Sequence, residues 1–66
     1  MQIVVNGENK IITDGLCVQE FLEGLNINLD TIVVECDSVI LKKEEYPQHI
    51  LRAGNVLEII RFIGGG

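Results

Sequence analysis

The residues best suited to chemistry in this 66-residue sequence are its last three, Gly64-Gly65-Gly66. Glycine has no Cβ, so three in a row can thread a channel too narrow for a side chain and follow whatever path an active site imposes. A carboxylate at Gly66 is a poor acyl donor until it is activated, typically by ATP as an acyl-adenylate. The reactive group is then the chain's own end, and a partner supplies the catalytic residues. The same glycines also suit an inert terminus, and tail composition alone leaves the two readings level. A phosphate cradle fits poorly, because it needs a helix N-terminus after the glycines.

Other reactive side chains are few and scattered. Cys17 stands at a helix start, where a thiol can gain reactivity, but such a Cys is more often a small buried hydrophobe. Cys36 lies in a β-branched run and reads as core or surface filler. His49 has no nucleophile or carboxylate at recognisable spacing and reads as structural. Glu44-Glu45 read as solvated charge or as a contact for a basic partner. Arg52 and Arg61 either meet acids on a partner or lay solvated stems along the sheet. No nucleophile–base constellation emerges, so an independent enzyme is the weakest reading.

Composition narrows the classes further. Ten acidic against five basic residues give a net charge of -5. Phosphate-backbone binding rests on clustered Lys and Arg, so nucleic acid is not an expected ligand. Acidity suits a partner with a basic surface. With 47% hydrophobic residues the chain is too apolar for a disordered acidic tail. Its apolar runs fall short of the roughly 20 residues that cross a bilayer. Met1-Gln2-Ile3-Val4-Val5 has neither a basic n-region nor a small-residue cleavage site. Two cysteines and one histidine are too few for a disulfide scaffold, metal site or iron–sulfur site. Free thiols in a reducing cytoplasm are expected.

The elements that must position the tail follow from periodicity. Ile3 and Val5 share one face of an opening strand, and Asn6-Gly7 is a strong hairpin signal. A return strand is expected at 10–13, closed by Asp14-Gly15. Val18, Phe21, Leu22 and Leu25 form one apolar helical stripe, with Gln19, Glu20 and Glu23 opposite. Cys17-Val18-Gln19-Glu20 has capping-box spacing with a thiol in place of a hydroxyl, and Asn26 can end the helix in the left-handed region. Ile27 and Leu29 tuck inward from the next loop. Strands are expected at 31–36 and 39–41, with Asp37-Ser38 turning between them. Residues 42–49 read as irregular, with one 3₁₀ turn at 43–46. After the Ala53-Gly54-Asn55 turn, residues 56–63 form the last strand.

This ββαβββ order predicts an α+β roll of the β-grasp kind, with a mixed sheet of four to five strands packed on one helix. Residues 1–63 make a single domain and 64–66 a flexible tail. A chain this short buries only about 60% of its unfolded surface, so its core is thin. One helix covers one sheet face. Alternation along the last strand assigns Leu57 and Ile59 to the core and leaves Ile60 and Phe62 at least partly exposed. Apolar residues exposed beside a reactive tail suggest a docking patch. The competing reading is that the 42–49 segment covers them.

Element order and tail together resemble the ThiS family of β-grasp, ubiquitin-like sulfur carriers in thiamine biosynthesis, over essentially the whole chain. The most specific match is Gly54-Asn55-Val56-Leu57-Glu58-Ile59-Ile60-Arg61-Phe62-Ile63-Gly64-Gly65-Gly66, similar to the family's Gly-Asp turn, final strand and terminal glycines. Met1-Gln2-Ile3 with Asn6-Gly7, the helical Val18, Phe21, Leu22 and Leu25, and Tyr46 with His49-Ile50 support it. Asn55 stands where the family usually has Asp, Cys17 where Thr or Ser caps the helix, and Cys36-Asp37 where an Asn-Gly turn is usual. The resemblance implies that a ubiquitin-activating (ThiF-type) adenylyltransferase adenylates Gly66 with ATP. Sulfur from a cysteine desulfurase then leaves a thiocarboxylate, which a ThiG-type thiazole synthase accepts. Gly64 and Gly65 supply access, and no cofactor need bind this chain itself. Carriers for molybdopterin or cysteine synthesis share fold and tail and remain alternatives, as does a β-grasp interaction module with an inert end.

Overall fold

The computed structural model describes residues 1–62. Asn6 and Gly7 take positive φ angles of 50° and 81° and close a two-residue turn between β1 (Gln2–Val5) and β2 (Glu8–Ile11). Primed turns match the twist of the strands they join, so Val5 pairs directly with Glu8. That register draws Glu8 and Asn9 into the ladder despite their polarity. The return strand expected at 10–13 therefore begins earlier and ends at Ile11. It is an edge strand, and Ile11 is 77% exposed on it.

Helix α1 (Val18–Gly24) forms where the apolar stripe predicts, and Val18, Phe21 and Leu22 are buried. The capping box is present with sulfur as its acceptor. The Glu20 amide donates to Cys17 Sγ at 3.4 Å, and the Cys17 amide donates to Glu20 Oε1 at 3.1 Å. The Cys17 backbone amide, and secondarily its side chain, hold the Glu20 carboxyl below the usual glutamate range. Asn26 takes φ 58° just past the helix, as expected. Leu25 differs from expectation. It is the C-cap, where the chain already leaves the helix, and it is 39% exposed.

A 3₁₀ turn at Leu29–Thr31 leads into β3 (Ile32–Cys36), which pairs with β4 (Val39–Leu41). Cys36 is the buried last residue of β3, and the turn consists of Asp37 and Ser38, at φ 50° and 71°. The turn thus falls at the Asp37-Ser38 pair that the local sequence predicts, one residue later than the Cys36-Asp37 that stands where the family's Asn-Gly is usual. β5 (Val56–Arg61) completes a sheet of order β2-β1-β5-β3-β4, with β1 and β5 parallel and the other pairs antiparallel. One helix on a five-stranded mixed sheet is the β-grasp arrangement. The expected boundary at residue 63 and the tail at 64–66 lie outside the described residues.

Segment 42–51 has a definite task. After a 3₁₀ turn at Lys43–Glu45 it runs across the helix N-terminus. His49 O accepts from the Val18 amide, Tyr46 O from the Gln19 amide, and Leu16 O from the Leu51 amide. The first amides of a helix have no partner within it, and this segment supplies them. Tyr46 and Leu51 are buried in the process. Burial pushes the Tyr46 phenol up, and a backbone hydrogen bond from Val34 offsets this only in part. Held on the helix side, the segment cannot cover the opposite sheet face.

Asp37 also ties the β3–β4 turn to the start of β5. Its Oδ1 accepts from the Val56 amide at 2.9 Å and its Oδ2 from Asn55 Nδ2 at 2.8 Å, while Asn55 Oδ1 accepts from the Arg52 amide at 2.7 Å. One carboxylate and one carboxamide complement each other here, with Asn55 donating to Asp37 and accepting from Arg52. Asn55→Asp should cost about 1 kcal/mol by setting two carboxylates together. Asp37→Asn in that background should recover most of it, a non-additivity measurable by urea denaturation. Glu20→Gln should flatten the acid limb of the same measurement. The lowered carboxyl contributes stability above the normal glutamate range, and that stability is lost as pH falls through its depressed value.

Candidate functional site

Strand β5 delivers the chain to the tail, and it is held on the β1 side as far as Ile59 and on the β3 side to its end. Against β1, the Val4 amide donates to Asn55 O and the Asn6 amide to Leu57 O, both at 2.9 Å. β1 then turns away, and the Asn6 side chain takes over. Its Oδ1 accepts from the Ile59 amide at 2.7 Å and its Nδ2 donates to Ile59 O at 3.3 Å. One residue therefore makes the positive-φ turn and extends the parallel ladder past the strand that carries it. Against β3, pairing runs from Cys36–Leu57 to Ile32–Arg61, and the Phe62 amide donates to Thr31 O at 2.8 Å. The ladder is thus continuous to Phe62.

Leu57 is fully buried and Ile59 packs against the core. Ile60 and Phe62 are exposed, at 49% and 52%. Across the sheet, Ile60 pairs with Val33, Glu58 with Glu35, and Glu35 with Ile40. Val4 pairs with Val56 beyond them. These residues, with Ile11 at the edge, make the face turned away from the helix. Sequence periodicity finds Ile60 and Phe62. It does not find Val33, Glu35 and Ile40 beside them, because register between distant strands leaves no local signal. The tail residues Gly64, Gly65 and Gly66 lie outside the described residues.

The thiols do not form a second site. Cys17 and Cys36 are both free and buried. An open groove of about 580 Å³ brings Cys36 near Asp37, His49 and Arg52. Burial pushes the Cys36 thiol up, and the Asp37 charge adds to the effect, so it is held protonated. Among the described residues no hydrogen bond joins it to His49. Glu45 closes its own turn by accepting from the Lys42 amide at 2.8 Å, while Glu44 is exposed. No group of three or more His, Cys, Asp or Glu among the described residues could hold a metal ion. No helix among them is long and apolar enough to cross a membrane.

The family model described as ThiS matches residues 3–66. The chain belongs to the ThiS family. Its fold is close to the crystal structure of the thiamine biosynthesis protein ThiS from Geobacter metallireducens, with a TM-score of 0.87 and 28% identity over all of both chains. The solution structure of a thiamine biosynthesis protein from the same organism gives a TM-score of 0.82, also at 28% identity, over all of this chain and 88% of the other. Two thiazole synthases are similar over the whole of this chain. The one from Paramagnetospirillum magneticum is 35% identical and the one from Magnetococcus marinus 29%. This ThiS-family chain spans about a fifth of the length of these curated relatives.

The Asn6 clamp yields a direct test. Asn6→Gly keeps the positive φ but removes both side-chain bonds to Ile59, and should cost about 1 kcal/mol. Asn6→Ala loses the bonds and adds backbone strain, so it should cost more. Amide exchange at Ile59 should accelerate in both variants relative to Leu57, as read by hydrogen–deuterium exchange NMR.

Proposed function

We propose that this chain is a sulfur carrier for thiazole formation in thiamine biosynthesis, acting as a co-substrate that partner enzymes modify. The observation that carries this reading is the likeness of the entire chain to a fifth of two thiazole synthases. Two activities joined in one polypeptide are commonly consecutive or cooperating, and that favours the thiazole pathway over molybdopterin or cysteine synthesis. Family membership agrees with it.

In this reading an adenylyltransferase of the ubiquitin-activating type binds ATP. The Gly66 carboxylate attacks the α-phosphorus and releases pyrophosphate. A persulfide on a cysteine desulfurase-derived donor then attacks the acyl carbonyl and displaces AMP. A thiol reduces the resulting acyl disulfide to leave a thiocarboxylate that thiazole synthase consumes. Gly64 and Gly65 keep the approach free of side chains. Gly66 is four residues beyond Phe62, and four residues span at most about 14 Å. A partner's active site must therefore come within that distance of the strand end, which calls for docking close by. Exposed Ile60 and Phe62 are suitably placed. The carrier role asks little of the domain beyond holding β5 in place.

The test is mass spectrometry after incubation with a thiamine-pathway adenylyltransferase, ATP and a sulfur donor. The expected result is replacement of one terminal oxygen by sulfur, abolished by deletion of Gly66 with the fold intact. An unchanged mass, under conditions where a known carrier reacts, would overturn the proposal. Ile60→Ser with Phe62→Ser should weaken adenylyltransferase binding by about tenfold or more while leaving the melting temperature nearly unchanged, because both side chains are half exposed.

A further inference from the structure

Glu35 and Glu58 are direct cross-strand partners in the middle of the sheet face turned away from the helix. Like charges placed opposite each other destabilise a sheet, so the pair does nothing for the folded domain by itself. The strand residues nearest it on this face are apolar, with Gln2 and Asn9 farther out toward the β2 edge. Val33 and Ile60 lie on the side toward the tail, Val56 and Val4 on the other, and Ile40 lies beyond Glu35. Ile40 is 64% exposed and Val56 41%. Among the strand residues on this face, Gln2, Val4, Asn9, Ile11, Val33, Glu35, Ile40, Val56, Glu58 and Ile60, none is Lys or Arg.

We infer that this face docks an apolar protein surface that projects an arginine between Glu35 and Glu58. Two neighbouring carboxylates offer several acceptor oxygens to one cation. A guanidinium, with five donors in a planar fork, can satisfy both, whereas an ammonium is a point charge. Closure of the apolar surround excludes water and strengthens the contact, and unpaired carboxylates in the same place penalise partners without the cation. A second copy of this chain is a poor occupant, since it would set carboxylates against carboxylates. Phosphate backbones and anionic lipid surfaces are repelled for the same reason. The inference rests on the carrier reading for the identity of the partner, the adenylyltransferase, and adds the chemistry by which that partner is selected.

The test compares the wild type, a Glu35→Gln/Glu58→Gln variant and a Glu8→Gln/Glu23→Gln control of equal net charge. Glu8 and Glu23 are exposed and lie off this face. Affinity for the adenylyltransferase is measured by calorimetry at low and physiological salt, and melting temperature on the free proteins. The Glu35/Glu58 variant should bind at least about tenfold more weakly, with a flatter salt dependence. Its melting temperature should hold or rise, because the like-charge opposition is gone. The control should bind within about twofold of the wild type. Equal losses in both variants would reduce the effect to net charge and overturn the inference. So would unchanged affinity in the Glu35/Glu58 variant, or a fall in its melting temperature, which would mean the carboxylates serve the fold. Conversion of wild-type Gly66 to a thiocarboxylate by the same enzyme is scored in parallel. If conversion succeeds while the variant binds normally, only this inference fails; if the wild type neither binds nor reacts, the carrier reading fails with it.

Discussion

Strand β5 lies at the centre of the sheet, bonded in parallel to β1 and antiparallel to β3, and most of the structure exists to hold it there. Its fully buried Leu57 sits among Ile3, Val18, Leu22 and Val34 in the core. The strand that leads to the tail is thus anchored by contacts from both halves of the chain. The sheet has no centre until the last strand is in place, so these contacts are of long sequence separation and the fold is completed late. Asn6 carries the pairing to Ile59 after β1 has ended, and Thr31 carries it to Phe62 on the other side.

The second constraint is supply. A domain of this size has one helix, and one helix covers one sheet face. Its total stability is of the order of 3–10 kcal/mol, and truncating a single buried Leu costs about 2–5 kcal/mol. The covered face therefore has no room for a polar site, and its thiols are held as core residues. What remains for function is the uncovered face and the strand end beside it. That face is mostly apolar, with two carboxylates at its centre.

Local signals made much of this visible. Helix α1, the positive φ of Asn26, β4, and the alternation that buries Leu57 and exposes Ile60 all depend on residues within a turn or two of one another. The departures arise where a distant contact takes over. Leu25 continues the apolar stripe but falls on a helix cap that the core does not reach. Residues 42–51 look irregular because, beyond their own short turns, their hydrogen bonds go to helix α1 and Leu16. The odd Asn55 becomes intelligible only beside Asp37, a residue far from it in sequence.

The sequence by itself determined the order of elements, the single helix, the two-residue turn at Asn6-Gly7 and the faces of the first and last strands. These follow from the 3.6- and 2-residue periods and from which residues tolerate positive φ, all properties of short stretches of chain. Tertiary structure alone decided which residues meet across strands. It set Glu35 opposite Glu58, placed Ile60 beside Val33, and gave the Asn6 carboxamide to Ile59. Register between strands far apart in the chain is chosen by how the whole core closes, and no window of sequence contains that information.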